Sequence, residues 1–437
     1  MNVPAPHRSP VRTGPTTVDD ALLTDLAHRF GTPAYVYDLA AVRHAATALV
    51  ADLPVGSDLL YSVKANPHPR VVAELVSLGL ACEISSTGEL RAALDAGCAP
   101  DRLLYTGPGK TPGELRTAVE SGVTFFSVES PGDRDRLAEA CAATGRNADY
   151  LVRLHGPRGS RRGGLRMTGR PSAFGTDVTA VDELSQMFRP TGRIRPVGTH
   201  TFSATNLVTP DALLEELQQA ITVTAHAANR AGFTPQTVDL GGGFPAPFAS
   251  PGPLPRHPLL ASGLTVTLDQ HVPGWREGRP RLLFESGRYL TATAGTLLTT
   301  VIDVKRSGGR TFVVVDAGVN ALGGMSGLGR LRAPAAQLRP LGPAGTTPAP
   351  VEPATDEAVT VVGPLCTPLD VLSTSAALNG VQSGQLLAVP NTGAYGLTAS
   401  LLGFLSHPAP TEIVLDDGHL VSARRLEMCP RETSFDV

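Results

Sequence analysis

The stretch LLYSVKAN at residues 59–66 predicts a buried β-strand, Leu59–Val63, that ends directly before a lysine. Further apolar runs follow, with amphipathic helical patterns between several of them. The runs are Ala81–Ile84, Leu103–Tyr105, Val123–Val128, Tyr150–Leu154, Pro196–Thr201, Thr237–Leu240 and Leu282–Phe284. The clearest helical patterns are Arg70–Leu78, Gly88–Ala96, Pro131–Ala143 and Pro210–Ala231. Eight strands with intervening helices predict an α/β fold, a (β/α)8 TIM-like barrel.

Segments rich in threonine and valine replace this alternation after Arg288 and have no long helices between them. They are Thr291–Val304, Thr311–Val315, Ala358–Val362 and Leu386–Val389. This pattern predicts a C-terminal, mainly antiparallel β domain. We expect a flexible N-terminus at 1–17, a barrel at 34–288, and a β-rich domain built from 18–33 and 289–437. The smaller predicted features are a helix at Val18–Phe30, a strand at Pro33–Tyr37 and a low-complexity surface loop at Gly342–Pro353.

Composition limits the class of partner. The 437 residues are 42% hydrophobic and 18% charged, with a formal net charge of −3. This is a globular composition without the basic excess that typifies binding to nucleic acid or anionic membranes. The stretch 1–17 lacks the apolar run of a signal peptide, and no later stretch is long and apolar enough to span a membrane. The five cysteines have no CxxC or metal-ligand spacing. We expect a cytoplasmic protein with reduced thiols and with no metal, nucleic acid or membrane as a partner.

Lys64 is placed for covalent chemistry. Side chains that follow barrel strands lie at the C-terminal face of the barrel, where active sites are built. A free lysine amine there can form a Schiff base with a carbonyl group. A lone lysine after a strand is more often an ordinary surface residue, so the interpretation depends on the motifs that accompany it.

Two accompanying motifs fit a phosphorylated cofactor. DLGGGFP at 239–245 places three glycines directly after a strand, where successive backbone N–H groups can bind phosphate. ESGR at 285–288 follows the eighth strand, and the Glu285 carboxylate could hold a pyridinium nitrogen protonated. Taken singly, the glycines also fit a plain turn, and Glu285 with Arg288 also fits a surface ion pair.

Six motifs together resemble one family. They are YSVKAN at 61–66, HTFS at 200–203, DLGGGFP at 239–245, ESGR at 285–288, GPLCTPLD at 363–370 and NTGAYG at 391–396. In this order and spacing, they resemble the fold-type III enzymes that use pyridoxal 5′-phosphate (PLP), the family of diaminopimelate, ornithine and arginine decarboxylases. The resemblance extends from about residue 30 to about residue 430.

The resemblance implies a role for each matching position. Lys64 would bind PLP covalently, His200 would stack on its pyridine ring, and Glu285 would face the pyridine nitrogen. The residues implied around the phosphate are Ser203, Gly242, Gly243, Gly287, Arg288 and Tyr395. Cys366 would reach the active site of a partner subunit and return a proton to the substrate Cα, which implies a homodimer with shared sites. Taken alone, His200 and Cys366 also fit ordinary core residues.

Departures from the family pattern concern the substrate. Diaminopimelate decarboxylases carry a glutamate directly after the active-site cysteine, where this chain has Thr367. They also carry an Arg-Pro-x-x-Tyr element, whose arginine and tyrosine correspond to Gly324 and Leu328 here. The missing carboxylate and arginine argue against a free zwitterionic diamino acid, because binding sites discriminate strongly against an unmatched charge. Asp370 is a second candidate substrate contact, or a support for Cys366.

Other segments resemble a subgroup from secondary-metabolite and exopolysaccharide pathways. They are GPLCTPLDVL at 363–372, AVPNTGAYGLTAS at 388–400 and FLSHPAPTEIVL at 404–415. One member type decarboxylates a glutamyl thioester on an acyl carrier protein during aminoglycoside antibiotic assembly. Asp316–Arg330 also fits this subgroup, except that Asn320, Ala321 and Leu322 replace its usual histidines.

The predicted reaction is therefore PLP-dependent decarboxylation of a carrier-tethered or side-chain-masked amino acid. The alternatives are decarboxylation of free diaminopimelate, ornithine or lysine, amino-acid racemisation, and PLP binding without catalysis. The cysteine motif speaks against a racemase, and the whole C-terminal domain speaks against a barrel that only binds the cofactor.

Overall fold

The computed structural model describes residues 18–156, 172–323, 335–342, 358–378 and 380–430. The predicted N-terminal segment 1–17, nearly all of the predicted loop Gly342–Pro353, and the positions Gly324 and Leu328 lie outside these residues. The described chain begins with α1 (Asp20–Phe30), β1 (Ala34–Asp38) and α2 (Leu39–Asp52).

Eight parallel strands form a closed barrel. The strands after β1 are β2 (Asp58–Ser62), β3 (Ala81–Ile84), β4 (Leu103–Tyr105), β5 (Phe125–Val128), β6 (Ala148–His155), β7 (Thr176–Asp177), β8 (Ile194–Thr201), β9 (Thr237–Asp239) and β10 (Arg281–Ser286). Neighbours pair in the order β2-β3-β4-β5-β6-β8-β9-β10, and β10 pairs with β2 to close the ring. The short β7 pairs with the end of β6 outside this ring. Each predicted barrel strand overlaps an observed one, and the predicted barrel is confirmed.

Helices follow the barrel strands. They are α3 (Pro69–Ser77), α4 (Thr87–Asp95), α5 (Pro112–Glu120), α6 (Pro131–Thr144), α7 (Val181–Met187), α8 (Pro210–Ala231), α9 (Leu260–His271) and α10 (Arg288–Thr291). Four of them follow a Ser or Thr whose hydroxyl accepts a hydrogen bond from a backbone N–H of the first turn: Ser86, Thr111, Ser130 and Thr209. None of the helices in the described parts of the chain is both long and apolar enough to span a membrane.

Apolar side chains fill both sides of the barrel wall. Leu60, Leu104, Leu151, Val197 and Leu283 form a compact cluster inside the barrel. Alternate residues of the same strands pack outward against the helices in a second, larger cluster. This period of two is the expected alternation of a strand that is buried on both faces.

The C-terminal domain is a second sheet in which antiparallel pairs predominate. Its strands are β11 (Gly295–Ser307), β12 (Arg310–Val315), β13 (Arg339–Pro340), β14 (Val359–Val362), β15 (Val371–Ala376), β16 (Leu386–Pro390), β17 (Thr411–Asp416) and β18 (His419–Arg425). They form the order β15-β14-β12-β11-β1-β17-β18, and β16 pairs with both β11 and β13. The predicted antiparallel β domain is confirmed.

The strand β1 belongs to this second sheet and not to the barrel. It pairs antiparallel with β11 and parallel with β17, and all five of its residues are buried. The predicted barrel start at residue 34 therefore needs correction, because Ala34–Asp38 supplies a central strand of the β domain. A strand buried between two others has no edge pattern in its own sequence, so its partners could not be inferred locally.

Candidate active site

Lys64 lies where the first barrel strand ends. It is the middle residue of a single 3₁₀ turn, Val63–Ala65, that follows β2 directly. Its Nζ donates to both carboxylate oxygens of Glu83 on β3, at 2.8 Å to Oε1 and 2.7 Å to Oε2. The Lys64 side chain is 41% exposed, whereas that of Glu83 is 1% exposed. The amine is thus held at the barrel mouth and is open to a ligand on one side.

The Lys64–Glu83 pair favours the charged amine. Burial opposes the charge, but attraction by Glu83 and Glu285 outweighs it and raises the pKa of Lys64 above its ordinary value. Burial likewise opposes the charge on Glu83, but the Lys64 ammonium lowers the pKa of that carboxyl overall. Thr106 and Ser85 donate further hydrogen bonds to Glu83 Oε1. Glu83 was not predicted, although an acidic residue inside a short apolar strand was a usable signal.

The other two lysines of the chain are unsuited to bind a carbonyl compound in this site. The sequence contains only Lys64, Lys110 and Lys305. Lys110 is buried and its ammonium lies 2.7 Å from Asp133 Oδ2 and 2.9 Å from the Ser127 carbonyl oxygen. Lys305 is exposed on β11, in the β domain. Lys64 is therefore the lysine whose amine is accessible at the catalytic face of the barrel.

His200 is buried at the C-terminal end of β8. Its Nδ1 is hydrogen-bonded to Ser127 Oγ at 2.7 Å, while Nε2 has no hydrogen-bond partner among the described residues. Burial, and then the positive charges of Arg153 and Lys64, lower the pKa of His200 well below its ordinary value. The imidazole is therefore neutral. Ser127, which fixes its ring, was not predicted, because a serine at a strand end carries no signal of its own.

Two buried carboxyl groups face each other beside His200. Glu285 Oε1 lies 3.6 Å from His200 Nε2, and the side-chain ligand atoms of His200, Glu285 and Asp239 all lie within 4.8 Å of one another. Burial, followed by mutual repulsion, raises the pKa of Glu285 well above its ordinary value, and burial raises that of Asp239 to about 7. Glu285 Oε1 and Asp239 Oδ2 have no donor among the described residues, so this pair is suited to share one proton or to accept a ligand N–H.

The predicted phosphate residues converge on the same face. A Cβ at Gly242 would lie 2.3 Å from the Glu285 carbonyl oxygen, and one at Gly287 would lie 2.6 Å from Ala65 Cβ. Gly243 has a φ of +105°, a conformation that strongly favours glycine. Gly242 thus lets the loop after β9 pack against the end of β10, and Gly287 lets the end of β10 pack against the Lys64 turn.

Three side chains complete this set. The Arg288 guanidinium lies 4.8 Å from the centre of the Tyr395 ring, and Tyr395 N donates to the Ala65 carbonyl at 2.8 Å. Ser203 is half-buried in the loop after β8. The structure thus brings Arg288 and Tyr395 together beside the Lys64 turn, although they come from different domains.

Cys366 and Thr367 lie in the β domain, in the loop between β14 and β15. Cys366 is exposed, and the hydrogen bonds of Thr367 are made within its own loop. Asp370 is buried, and its two oxygens accept hydrogen bonds from Val319 N and Leu365 N, each at 2.7 Å. Of the two roles that the sequence left open for Asp370, this geometry favours support of the Cys366 loop over contact with substrate.

The comparisons with known proteins agree with this geometry. Residues 39–292 match the family model described as pyridoxal-dependent decarboxylase, pyridoxal binding domain. The chain belongs to this decarboxylase family. It is 30% identical over 413 residues to the L-glutamyl-[BtrI acyl-carrier protein] decarboxylase of Niallia circulans, covering 93% of this chain and 94% of that protein. It is 29% identical over 415 residues to the diaminopimelate decarboxylase of Zymomonas mobilis, covering 93% and 92%.

A solved structure shows the same architecture. The crystal structure of AQ1208 from Aquifex aeolicus superposes with a TM-score of 0.75 at 28% identity, covering 92% of this chain and 90% of that one. The chain is therefore a PLP-dependent amino-acid decarboxylase with a TIM-like barrel. Of the two reactions and the non-catalytic role considered from the sequence, decarboxylation is the one that the family supports.

The residues at the barrel mouth fit the cofactor. One partly exposed amine, Lys64, is available for covalent attachment, and a neutral His200 lies beside it with one ring nitrogen free of protein partners. The buried Glu285 carboxyl offers an oxygen to which no described residue donates, as an acceptor for a protonated ring nitrogen requires. The arginine beside Tyr395 adds a positive charge for a phosphate group.

Proposed function

We propose that this decarboxylase removes CO2 from an amino acid that is tethered to a carrier protein or otherwise masked in its side chain, in a biosynthetic pathway of secondary metabolism such as antibiotic assembly. The observation that carries the proposal is Thr367. It stands directly after Cys366, where diaminopimelate decarboxylases have a glutamate for the distal end of a free diamino acid. A threonine is uncharged and cannot pair with a distal ammonium group.

The relatives support a masked substrate but do not decide it. The Niallia circulans relative is named for a glutamyl group on an acyl carrier protein, and the Zymomonas mobilis relative for a free diamino acid, at nearly the same identity. Overall similarity therefore does not separate the two substrate classes. Single residues that would contact the substrate have to distinguish the two substrate classes. Among the described residues, Thr367 is the position at which this chain departs from the diaminopimelate decarboxylases.

Residues of the barrel, together with Tyr395 of the β domain, would divide the work as follows. Lys64 would hold the cofactor covalently through its amine. Glu285 would keep the ring nitrogen protonated, the neutral His200 would support one face of the ring, and Arg288 with Tyr395 would hold the phosphate. Ser203, Gly242, Gly243 and Gly287 are proposed as the remaining phosphate contacts. Bound PLP supplies an electron sink for the electron pair that remains when CO2 leaves.

Cys366 is proposed to act in the active site of a partner subunit, so the working unit is a homodimer with shared sites. Its thiol is exposed in a loop that Asp370 holds through two buried hydrogen bonds. An exposed thiol on a loop that is held in this way is suited to reach across an interface. It would return a proton to the substrate Cα after CO2 has left.

The experiment that tests the proposal compares substrates on the PLP-loaded enzyme. CO2 release is measured from a glutamyl thioester of an acyl carrier protein, and from free diaminopimelate, ornithine and lysine. We expect turnover of the masked substrate at least about 100-fold above that of the free diamino acids, because unmatched charges are rejected by such factors. Turnover of the free diamino acids alone would overturn the proposal.

The alternative function is decarboxylation of a free diamino acid, which the similarity to diaminopimelate decarboxylases favours. A matched variant, Thr367→Glu, separates the two. If the substrate is masked, the new carboxylate lowers turnover of the carrier thioester and raises turnover of diaminopimelate. If the natural substrate is a free diamino acid bound by other residues, the variant leaves the thioester inactive and changes diaminopimelate turnover little.

A further inference from the structure

We propose that Asn66 is a positioning residue that ties the turn carrying Lys64 to the β-domain loop carrying Tyr395. Asn66 ends the Lys64 turn and its side chain is buried. None of the cofactor roles above uses it. This role rests on the proposed cofactor contacts of Lys64 and Tyr395, and it does not depend on which amino acid is the substrate.

The Asn66 amide bridges two domains. Its Nδ2 donates to the Gly393 carbonyl oxygen at 2.9 Å, and its Oδ1 accepts from His68 N at 3.0 Å. Tyr61 Oη donates to the Asn66 carbonyl oxygen at 2.7 Å. The side chain is therefore fixed on the barrel side by its acceptor, while its donor reaches the β domain. An amide supplies this combination of donor and acceptor, whereas a carboxylate lacks the donor.

The loop that receives this hydrogen bond has little freedom to adjust. A Cβ at Gly393 would lie 2.0 Å from the Thr291 carbonyl oxygen, and one at Gly396 would lie 2.7 Å from Tyr35 Oη. Between them, Tyr395 has a φ of +54° and donates its N–H to the Ala65 carbonyl. The Asn66 and Tyr395 hydrogen bonds thus fasten the loop to the Lys64 turn on both sides of Ala394.

Loss of the Asn66 donor would affect the cofactor site directly. Gly393 is buried, so its carbonyl oxygen would lose this donor at a position where water does not easily take the donor's place. Because the close-packed loop cannot bring another donor to this carbonyl, the hydrogen bond from Tyr395 N to the Ala65 carbonyl would be the remaining link of the two between the loop and the Lys64 turn. Since Tyr395 lies against the Arg288 guanidinium, the covalent end and the phosphate end of the cofactor site would lose their fixed spacing.

The test uses Asn66→Ala and Asn66→Asp in the full-length protein, with cofactor affinity as the main readout. PLP is titrated into the cofactor-free variants and followed by visible absorption, and kcat and KM are measured on the best substrate. We expect about tenfold or more weaker PLP binding in both variants, the cost of one buried donor. Unchanged PLP binding in Asn66→Ala would overturn the proposal.

A pH series on Asn66→Asp supplies a signature that a general loss of stability would not give. Burial raises the pKa of the introduced carboxyl, and once protonated it can donate to the Gly393 carbonyl. We expect PLP binding to recover in Asn66→Asp, relative to Asn66→Ala, as the pH falls from about 8 to about 5.5. The neighbouring Tyr37, His68 and Glu412 are the same in both variants, so their titration cancels in the comparison. Parallel pH profiles of the two variants would contradict the proposal, even if Asn66→Ala folds poorly.

Asn391→Asp is the matched control for domain docking. Asn391 is also buried, and its Nδ2 donates to the Ser250 carbonyl oxygen at 2.7 Å, between the β domain and a loop of the barrel domain. This contact does not involve the Lys64 turn. We expect the control to lower the midpoint of urea unfolding while leaving the PLP dissociation constant within about twofold. An equal loss of PLP affinity in Asn66→Asp and Asn391→Asp would show that Asn66 is only an ordinary contact between the domains.

Discussion

Replacement of Glu83 by glutamine should make Lys64 more reactive towards PLP while making the cofactor-free protein less stable. In the wild type, the Lys64 ammonium lies 2.7 Å from Glu83 Oε2, and this attraction helps to raise the pKa of Lys64. Only a neutral amine attacks a carbonyl carbon. Glu83→Gln keeps the size of the side chain and an acceptor for Thr106, but it removes the charge that holds the proton on Lys64.

The expected fall in the pKa of Lys64 depends on how far solvent screens the Lys64–Glu83 ion pair. Opposite charges about 4 Å apart attract by about 4 kcal/mol in a medium of intermediate dielectric constant. The Lys64 side chain is 41% exposed, so solvent screens much of this attraction. We expect a remaining attraction of about 1–2 kcal/mol between Lys64 and Glu83. Its loss corresponds to a fall of about one unit in the pKa of Lys64 and to about tenfold more neutral amine at a given pH. The same energy is lost from the stability of the cofactor-free protein.

The assay mixes cofactor-free protein with saturating PLP and follows the visible absorption of the bound cofactor between pH 6 and pH 9, a range of about three units around neutrality. We expect the pH–rate profile of Glu83→Gln to shift to lower pH by about one unit. Thr106→Val is the control, because it removes a hydrogen bond to Glu83 without changing the charge. A slower reaction of Glu83→Gln at every pH would refute the reasoning, since Glu83 would then be the base that takes the proton from Lys64.

Three further outcomes are expected. Burial raises the pKa of Asp239 to about 7, so the folded cofactor-free protein keeps a proton on Asp239 that the unfolded chain releases. Its free energy of unfolding should therefore fall as the pH rises from about 4 to about 7. Asp239→Asn should flatten this pH dependence, as measured by urea unfolding. Asp370→Ala leaves two buried backbone amides without acceptors and should cost about 2–4 kcal/mol of unfolding free energy, and a loss below about 0.5 kcal/mol would contradict the assigned support. Ser127→Ala frees the Nδ1 of His200 and should weaken PLP binding about fivefold to tenfold in the same absorption titration, whereas unchanged binding would show that the ring is fixed by packing alone.

The barrel was readable from the sequence because its strands are short apolar runs separated by helical patterns. Strands such as Ala81–Ile84 and Leu103–Tyr105 have their predicted bounds. The strand at Ala34–Asp38 was found, but it was assigned to the wrong sheet, since its partners β11 and β17 lie more than 250 residues away along the chain. Local patterns report burial and period, whereas sheet membership depends on distant pairing.

The residues predicted for the site were those that carry recognisable motifs. Lys64, His200 and Glu285 were found in this way, and the structure brings them to one end of the barrel. Glu83 and Ser127 were missed, because each acts by fixing another side chain and belongs to none of the motifs; of the two, only the acidic Glu83 inside an apolar strand offered a signal. The position of Cys366 relative to the other site residues could not be derived from one chain, since the role assigned to it needs a partner subunit.

The most direct test of the central claim is to locate the cofactor on the chain. The PLP-loaded protein is reduced with borohydride, digested, and searched by mass spectrometry for the lysine that carries the pyridoxyl group. With only three lysines in the sequence, the result is unambiguous. We predict the label on Lys64 and its loss in Lys64→Arg. A label on Lys110 or Lys305 instead, or an unlabelled Lys64 in protein that releases CO2, would contradict the account.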